Sequence, residues 1–372
     1  MRVLVAMSGG VDSAVAAFLL RREGHEVAGA TMRLFCHGRQ DGPPRPCCDM
    51  EAVREARRSA DILRIPHTVI DMEEVFRREV VDDFVSEYAR GRTPNPCVRC
   101  NTYVKFGPLF DKAERMGFDA VATGHYARLV PGPGGEIELH RARDERKDQS
   151  YVLWGLSGAL LHRCRFPLGG LRKDVVRRIA RRIGLTSWDR PDSQDICFVP
   201  TGEHPGFVAE RISESHPMRA PGPIRSTDGR LLGRHEGLLG HTHGQRRGVG
   251  VQNGGRLYVI EMDAATSTMI VGPREETLST GLRAGGGNLL ASRGDLEGEG
   301  VSARIRYRHA GAPCRVRCDG ETWEARFHRP ESAVTPGQSV VFYRGDRMLG
   351  GAWIESAIPL NAASREAPAA SP

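Results

Sequence analysis

The first twenty residues constrain the fold more than any other part of the chain. A short apolar segment, Val3–Met7, leads through the turn Ser8–Gly10 into the helix-like run Ala14–Leu20. A strand that enters a helix through a glycine-containing turn places backbone N–H groups and the positive helix end where phosphate oxygens can bind. We therefore expect an anion-binding loop at the carboxyl end of the first strand.

The first half of the chain continues to alternate between apolar strand-like segments and helices. We expect further strands and helices, in chain order, at Val27–Met32, Glu51–Leu63, Thr68–Ile70, Glu73–Tyr88, Asp119–Thr123 and Lys173–Ile183. The glycine- and proline-rich segment 131–135 predicts a hairpin turn. This alternation predicts an α/β fold with a doubly wound, mostly parallel sheet.

The second half of the chain differs in composition and pattern, because glycine becomes frequent and helical periodicity fades. Short alternating segments occur at Leu257–Ile260, Met269–Val271, Val301–Tyr307 and Ser339–Tyr343. We predict an N-terminal catalytic domain over 1–205, a small central domain over 206–280 and a C-terminal β-barrel over 281–360. The Ala/Pro/Ser-rich tail 361–372 is expected to be disordered.

Composition excludes some classes of protein. No run of about 18 apolar residues occurs and the amino terminus lacks the features of a signal peptide, so we expect a cytoplasmic protein without a membrane span. The net charge of +7 weakly favours a polyanionic partner. Nine cysteines without a secretory signal favour reactive thiols or metal ligands over a disulfide scaffold.

The predicted phosphate loop differs from a Walker A loop. No Lys-Ser or Lys-Thr pair follows Gly10, so the loop is not built to hold β- and γ-phosphates in the Walker manner. Asp12 suits a position beside phosphates where a magnesium ion bridges them. A turn that only caps a helix is the alternative, and the two glycines with the acid disfavour it.

Two cysteine-containing segments suit a sulfur carrier. Arg92 and Arg99 lie near Cys97 and Cys100 in sequence, and Cys197 follows the last long predicted helix. The reactive form of a cysteine is the thiolate, which a neighbouring cation in an accessible loop stabilises. We expect these segments to carry thiol chemistry, with the two arginines as the nearby cations.

Several strings resemble known families. The string SGGVDS, from Ser8 to Ser13, resembles the PP-loop of ATP-pyrophosphatases, which cleave ATP between its α- and β-phosphates and transfer AMP to an oxygen. The whole chain is similar to the tRNA-specific 2-thiouridylase family in further motifs, at Gly124–Ala127, Lys147–Tyr151, Gly244–Gly248 and Val334–Gln338. This resemblance implies a tRNA-uridine 2-sulfurtransferase that thiolates C2 of the wobble uridine in tRNAs for Lys, Glu and Gln.

The resemblance also implies roles for individual residues. ATP, with Mg²⁺, would be bound by Ala6, Met7, Ser8, Gly9, Gly10, Val11, Asp12, Ser13, Met32 and Gly124. Cys197 would carry a persulfide, and Cys100 would attack it to free the sulfur. The tRNA would contact Asn95, Pro96, Cys97, His125, Lys147, Asp148, Gln149, Arg306, Tyr307 and Gln338. A cysteine desulfurase or a sulfur-relay protein would supply the persulfide.

One position departs from the family pattern. The family has Pro-Asp-x-x-Cys, in which the acid is a candidate proton-transfer group, whereas this chain has Cys97 in that place. Cys97, Cys100 and Cys197 could therefore form a redox or persulfide dithiol, an iron–sulfur site such as a four-iron cluster, or a zinc site. A fourth ligand could be substrate sulfide, Cys47, Cys48 or solvent. All three arrangements stay open at this point.

Two other functions stay open as well. Another PP-loop enzyme, such as an amidating synthetase, would use ammonia or glutamine and would not need Cys197. A metal-binding RNA module without catalysis would use basic turns such as Arg246-Arg247 and would release no pyrophosphate. Both alternatives are separable by experiment.

Overall fold

The chain forms two compact units. The computed structural model describes residues 1–34, 48–190, 196–199, 202–251 and 256–360. The first unit comprises Met1–Asp82, Pro96–Phe198 and Asp346–Met348, and the second comprises Asp83–Asn95, Val199–Gly345 and Leu349–Pro372. Cys47, most of the loop before it and the tail 361–372 lie outside the described residues.

The first unit is built from alternating strands and helices. Its strands are β1 (Arg2–Ala6), β2 (Glu26–Arg33), β3 (His67–Asp71), β4 (Ala120–Ala122), β5 (Ala127–Pro131), β6 (Ile137–Arg141) and β7 (Cys164–Arg165). The helices over the same stretch of chain are α1 (Val11–Arg22), α2 (Cys48–Leu63), α3 (Glu73–Phe76), α4 (Asp82–Ala89), α5 (Pro96–Cys100), α6 (Pro108–Arg115), α7 (Gly158–Leu161) and α8 (Lys173–Arg182). Beyond Asp82, α4 is part of the second unit.

Five of these strands form one parallel sheet in the order β3-β2-β1-β4-β7. Val5 of β1 pairs with Gly29 on one side and with Ala122 on the other. The strand order reverses beside β1, and ligands of such sheets bind at the carboxyl edge of that reversal. The predicted doubly wound parallel sheet is therefore confirmed, and its topology puts the loop after β1 at the expected ligand-binding edge.

Small buried residues bring α1 close to the sheet. Ala14, Ala16 and Ala17 of α1 are fully buried in the same core as Val3 and Val5 of β1. Because alanine has little side-chain volume, α1 can pack closely against β1 in this core. Val176 and Ala180 of α8 complete this core.

The second unit is rich in β-structure. Its elements are α9 (His204–Ala209), β8 (Gly222–Ser226), β9 (Leu231–His235), β10 (Tyr258–Asp263), β11 (Thr268–Gly272), β12 (Leu278–Leu289), α10 (Arg293–Glu297), β13 (Val301–Arg304), β14 (Ala312–Asp319), β15 (Thr322–Ser332), β16 (Ser339–Arg344) and β17 (Arg347–Pro359). Strands β8 to β11 form a four-stranded sheet in the order β10-β11-β8-β9. The first two residues of β17 are assigned to the first unit.

The last six strands close into a barrel. They follow the order β12-β15-β14-β13-β16-β17, and β12 also pairs with β17. The predicted C-terminal β-barrel is thus confirmed. One predicted strand, Val301–Tyr307, ends earlier, at Arg304, because the chain turns where His309 N donates to Arg306 O at 3.0 Å. Among the described stretches, no helix is both long and apolar enough to span a bilayer.

Glycines permit close packing within the barrel. A Cβ at Gly287 of β12 would lie 2.4 Å from the indole ring of Trp323 on β15. Trp323 is 5% exposed and packs in the barrel core. A strand with this many glycines is hard to recognise from sequence, because glycine is depleted from strands in general.

Replacing Gly169 by alanine is expected to lower the free energy of unfolding by about 1–3 kcal/mol, because the added methyl collides with backbone. A Cβ at Gly169 would lie 1.8 Å from the carbonyl oxygen of Ala127. Gly170→Ala is the matched control, since no described atom lies within 4 Å of that Cβ position. Urea unfolding followed by circular dichroism measures both variants. Equal free energies of unfolding for the two variants would contradict the close approach of Gly169 to the backbone of Ala127 in β5.

Candidate active site

The phosphate loop connects β1 to α1 at the carboxyl edge of the parallel sheet. Ser13 holds the loop from inside, since its Oγ accepts from Ser8 N at 3.2 Å and donates to Gly10 O at 3.1 Å. The first-turn N–H groups of a helix have no partner within the helix, so the start of α1 offers donors to an anion. The predicted loop therefore has the geometry of an anion site.

Two glycines are required at this loop for reasons of space. Gly9 has a φ of +75°, and its Cβ would lie 2.5 Å from the carbonyl oxygen of Ala52 in α2. Gly124, which follows β4, would place a Cβ 2.7 Å from Ser13 N. The backbone after β4 thus lies against the start of α1. The structure brings the predicted ATP residue Gly124 beside the predicted loop.

The residues that flank the loop are held by β2 and β3. Met7 N donates to Ala30 O at 2.8 Å, and Met7 O accepts from Thr31 Oγ1 at 2.9 Å. The Thr31 hydroxyl also lies 2.9 Å from His67 Nε2. Met32, the predicted adenine contact, is half-buried next to Thr31 on β2. Met7 therefore anchors the loop, and its buried side chain contributes to the core.

Asp12 is held by two side chains that come from distant parts of the chain. Lys173 Nζ, at the start of α8, donates to both carboxylate oxygens of Asp12, at 2.8 and 2.7 Å. Tyr126 OH donates to Asp12 Oδ1 at 2.8 Å. Lys173 and Tyr126 are buried, at 8% and 2% exposure, whereas the side chain of Asp12 is 31% exposed. The carboxylate is fixed in orientation and still reachable by a ligand.

Three thiols form a second group in the same unit. Cys97 and Cys100 lie on α5, and Cys197 lies in the described segment 196–199, which is anchored by Phe198 against Phe76 with ring centroids 5.5 Å apart. Cys100 is buried, while Cys97 and Cys197 have exposed surface. Cys197 is close enough to Cys97 and Cys100 for both to affect its ionisation, so the structure brings together the two cysteines predicted for sulfur transfer and the one that replaces the family's acid.

The surroundings keep these thiols protonated. Burial, together with the neighbouring Cys100 and Cys97, raises the pKa of Cys197 to about 12, while Lys105 opposes the shift. Burial also raises the pKa of Cys97 and of Cys100, again opposed by Lys105. Cys97 and Cys197 keep exposed surface, yet the protein around them displaces enough water to disfavour the thiolate.

Lys105 is the cation that acts on Cys97, Cys100 and Cys197. The expectation that Arg92 and Arg99 are the cations beside the thiols is therefore corrected. Arg92 Nε pairs with Glu87 at 2.8 Å. Arg99 lies 4.5 Å from the Tyr103 ring centroid and donates to Glu79 O at 3.2 Å. Both guanidinium groups have other partners, because nearby carboxylates and a ring compete for them. Arg92 and Arg99 are close to the cysteines in sequence, but their guanidinium groups bind other partners in the folded protein.

The thiols do not form a ready-made metal site. Among the described residues, no group of three or more His, Cys, Asp or Glu side chains is arranged to hold one metal ion. Cys47 and the side chain of Cys48, suggested as a fourth ligand, lie outside what the structure describes. Within the described residues, Cys97, Cys100 and Cys197 are not arranged to hold one metal ion, and no reaction step is routed through a cluster or a zinc ion.

The segment 147–149, predicted to contact tRNA, begins at the last residue of a tight turn that Lys147 N closes by donating to Asp144 O at 2.9 Å. Asp148 is 5% exposed, and its carboxylate accepts from Ala142 N, Ser150 N and Ser150 Oγ, each at 3.1 Å. Gln149 Oε1 accepts from Tyr126 N at 2.9 Å. Lys147 is half-buried. Asp148 and Gln149 thus have structural bonds in this conformation, and their contact with tRNA stays a prediction.

His125 has the character of a neutral, packed side chain. Burial lowers the pKa of His125 well below its usual value, and the charge of Lys105 lowers it further. Its Nδ1 lies 2.7 Å from Thr123 Oγ1, and the rings of Phe106 and Phe166 lie 6.1 Å away. A neutral imidazole can hydrogen-bond to RNA but adds no positive charge for a phosphate.

The remaining predicted tRNA contacts belong to the second unit, except for Pro96, which opens α5. Gln338 Nε2 donates to Thr93 O and Pro94 O, both at 3.0 Å, so its amide fixes the segment before Asn95. Arg306 and Tyr307 are exposed on the loop after β13, with Tyr307 at 39% exposure. They remain reachable by a large ligand.

Sequence reasoning missed Lys173, Tyr126 and Lys105. Lys173 carried a detectable signal, because a cation in the first turn of a helix is unfavourable beside the positive helix end unless an acid compensates it. Tyr126 lies within the quoted motif Gly124–Ala127, but nothing in the motif indicates which residue its hydroxyl meets. Lys105 carried no signal that distinguishes it from other surface lysines.

Cys197 is expected to react slowly with iodoacetamide at neutral pH despite its exposed surface. With a pKa of about 12, its thiolate fraction is on the order of a thousandfold below that of a free cysteine with a pKa of about 8.5. The alkylation rate, followed by mass spectrometry, should keep rising above pH 9. The same protein in guanidinium is the control and should reach a plateau near pH 9 to 10. A plateau below pH 9 in the folded protein would contradict the buried environment.

Comparison with known families gives successive matches along the chain. A family described as the tRNA methyl transferase HUP domain matches residues 1–201, a tRNA methyl transferase PRC-barrel domain matches 206–273, and an aminomethyltransferase beta-barrel domain matches 279–354. Partial likenesses to solved structures include a 4-thiouridine synthetase–RNA complex with bound ATP, with a TM-score of 0.35 and 18% identity over 53% of this chain and 44% of that chain. NMN synthetase from Francisella tularensis has a TM-score of 0.31 and 17% identity over 52% and 66%.

Curated relatives match at much higher identity. The tRNA-specific 2-thiouridylase MnmA of Geobacter metallireducens is 46% identical over 362 residues, which cover 96% of this chain and 97% of that protein. The protein of the same name from Sphingopyxis alaskensis is 47% identical over 360 residues, covering 95% and 91%. With the three domain matches in the same order, these relatives establish that the chain belongs to the tRNA-specific 2-thiouridylase (MnmA) family.

Proposed function

We propose that this chain, a tRNA sulfurtransferase by its family, uses ATP to adenylate O2 of the wobble uridine in tRNAs for Lys, Glu and Gln. Sulfur from a persulfide on Cys197 then replaces the activated oxygen, and the products are 2-thiouridine, AMP and pyrophosphate. The observation that carries this proposal is that Cys100 and Cys197 lie together in the same unit as the loop Ser8–Ser13. The two halves of the reaction have their residues on one scaffold.

The first step uses the loop and Asp12. The polyphosphate of ATP lies on the amides at the start of α1, where the helix end favours negative charge. Uracil O2 attacks the α-phosphorus, and pyrophosphate leaves with the electrons of the bond that breaks. Lys173 places positive charge beside Asp12, where it offsets charge that develops on the departing pyrophosphate. Asp12 would be the carboxylate that holds a Mg²⁺ ion bound with the phosphates, and that ion would supply positive charge to the leaving pyrophosphate.

The second step uses the thiols. A cysteine desulfurase or a sulfur-relay protein transfers a sulfur atom to Cys197, which becomes a persulfide. Cys100 attacks the inner sulfur of that persulfide, so a Cys100–Cys197 disulfide forms and hydrosulfide is freed. Hydrosulfide adds to C2 of the adenylated uracil, and AMP leaves with the original oxygen. An external dithiol then reduces the disulfide. Lys105 favours the thiolate that the attack needs, against the burial that disfavours it.

Cys197→Ser and Cys100→Ser are expected to lower 2-thiouridine formation by at least about a hundredfold, since neither variant can complete the sulfur transfer. The reaction contains the full chain, ATP, Mg²⁺, unmodified tRNA and a persulfide donor, and mass spectrometry of digested tRNA measures the product. Cys314→Ser is the matched control, because Cys314 is buried in the barrel core and has no part in the reaction.

The same assay separates the rival functions. Unchanged product from Cys197→Ser would favour an amidating PP-loop enzyme, and glutamine or ammonia would then replace the persulfide. Absence of tRNA-dependent pyrophosphate release from the parent chain would favour an RNA-binding module without catalysis. Product formation that requires both Cys197 and ATP supports the proposal.

Binding of tRNA is expected to weaken strongly with salt, because each neutralised phosphate adds roughly 0.7 to 0.9 to the log–log slope. Arg306→Met should reduce that slope by about the contribution of one phosphate. Arg326→Met is the control, since Arg326 is paired with Glu324 on β15 at 2.7 Å. Filter binding from 50 to 300 mM salt, roughly the range over which such slopes are resolved, gives both slopes. A flat response of the parent chain would contradict the proposed tRNA contacts.

A further inference from the structure

The two side chains that hold Asp12 are themselves held by one short turn. Lys173 is the first residue of α8, and its backbone N–H donates to Asp144 Oδ2 at 2.9 Å. Tyr126 is bonded through its backbone on both sides, because its N–H donates to Gln149 Oε1 at 2.9 Å and its carbonyl accepts from Gln149 N at 2.8 Å. Asp144 and Gln149 therefore support Asp12 by two separate routes.

The turn from Asp144 to Ser150 is held by hydrogen bonds between its own residues. The other oxygen of Asp144 accepts from Arg146 N at 3.2 Å, and Asp144 O accepts from Lys147 N at 2.9 Å. The buried carboxylate of Asp148 binds the far end of the turn through Ser150. A displacement of the turn therefore reaches both Lys173 and Tyr126, because Asp144 and Gln149 bond directly to the backbone of these two residues.

The same turn carries residues for which an RNA contact is proposed, Lys147 among them. RNA bound there contacts the element that fixes the acid of the nucleotide loop. A ligand can shift an equilibrium only by its difference in affinity between two states, and such coupling acts equally in both directions. RNA that fixes the turn thereby favours the orientation of Asp12 that suits the nucleotide.

We propose that the turn Asp144–Ser150 couples RNA binding to the nucleotide site, with Asp144 and Gln149 as the positioning residues. This proposal rests on the proposed function, which assigns nucleotide to the loop and RNA to the turn. It adds a regulatory consequence: tRNA bound to the protein tightens nucleotide binding, and nucleotide tightens tRNA binding by the same factor. ATP then binds tightly mainly when the tRNA with the uridine that receives AMP is bound.

Isothermal titration of the full chain with Mg²⁺ and α,β-methylene-ATP, with and without saturating unmodified tRNA, measures this coupling without turnover. The parent chain should bind the analogue about fivefold or more tightly when tRNA is present. Asp144→Ala should reduce the ratio to below about twofold, because Lys173 loses its backbone anchor. Asp144→Asn should retain it, since the amide oxygen can still accept at the start of a helix.

Two further variants separate coupling from general damage to the fold. Tyr126→Phe removes only the hydroxyl that contacts Asp12 and leaves the backbone pair with Gln149 intact, so it should lose coupling with little change in the folded structure. Asp174→Ala is the matched control, because it removes a neighbouring acid of α8 that is 56% exposed and pairs with Arg172 and Arg178. If Asp144→Ala does not fold, the affinity ratios of Tyr126→Phe and Asp174→Ala are compared instead, and a loss of coupling in Tyr126→Phe alone supports the proposal.

The outcomes are distinct. Coupling that is lost in Asp144→Ala and Tyr126→Phe but kept in Asp144→Asn and Asp174→Ala supports the proposal. Equal ratios in all four variants, or a parent chain that binds both ligands without coupling, would overturn it and leave the proposed function standing. A parent chain that binds no nucleotide would refute the proposed function, and this proposal with it.

Discussion

The ion pair between Asp12 and Lys173 is the contact on which the arrangement of the first unit depends. It joins the start of α1 to the start of α8, two helices whose positive ends would otherwise repel a lysine placed beside them. Asp12 supplies the compensating negative charge while no phosphate is bound. A bound polyphosphate brings more negative charge to the same place, so it can take over part of that role and release the carboxylate for a metal ion carried by the phosphates.

The environment of Cys97, Cys100 and Cys197 has two opposite effects on their reactivity. Burial keeps Cys97, Cys100 and Cys197 protonated, which slows attack by oxidants, because oxidants react with the thiolate. Lys105 partly offsets that effect in all three. The side chain that replaces the family's acid is therefore another protonated group at neutral pH, which can donate a proton but, unlike a carboxylate, is not an ionised base.

Sequence alone was sufficient for the parts of the molecule that depend on local pattern. The alternation of strands and helices indicated the parallel sheet, and the glycine-containing turn after β1 indicated the loop, because both depend on neighbouring residues. The pair Asp12–Lys173 joins residues separated by 161 positions, and no local rule connects them. The expectation for Arg99 was wrong for the same reason, because its partner Glu79 lies 20 positions away. In the barrel, the sequence predicted strands only at β13 and β16, and β12, β14, β15 and β17 were missed. For β12 the reason is its glycines, since glycine is depleted from strands in general.

Closure of the barrel limits how anything can bind to it. Within the stretch 256–360, each barrel strand has a neighbour on both sides, and β12 pairs with β17 to complete the ring. A partner strand therefore has no open edge within the ring itself, although β17 also pairs with β6 at Arg347, the residue where β17 begins. Recognition by this part of the protein is left to side chains on the loops at its ends. The barrel is in this sense a rigid frame that displays loops such as the one with Arg306 and Tyr307.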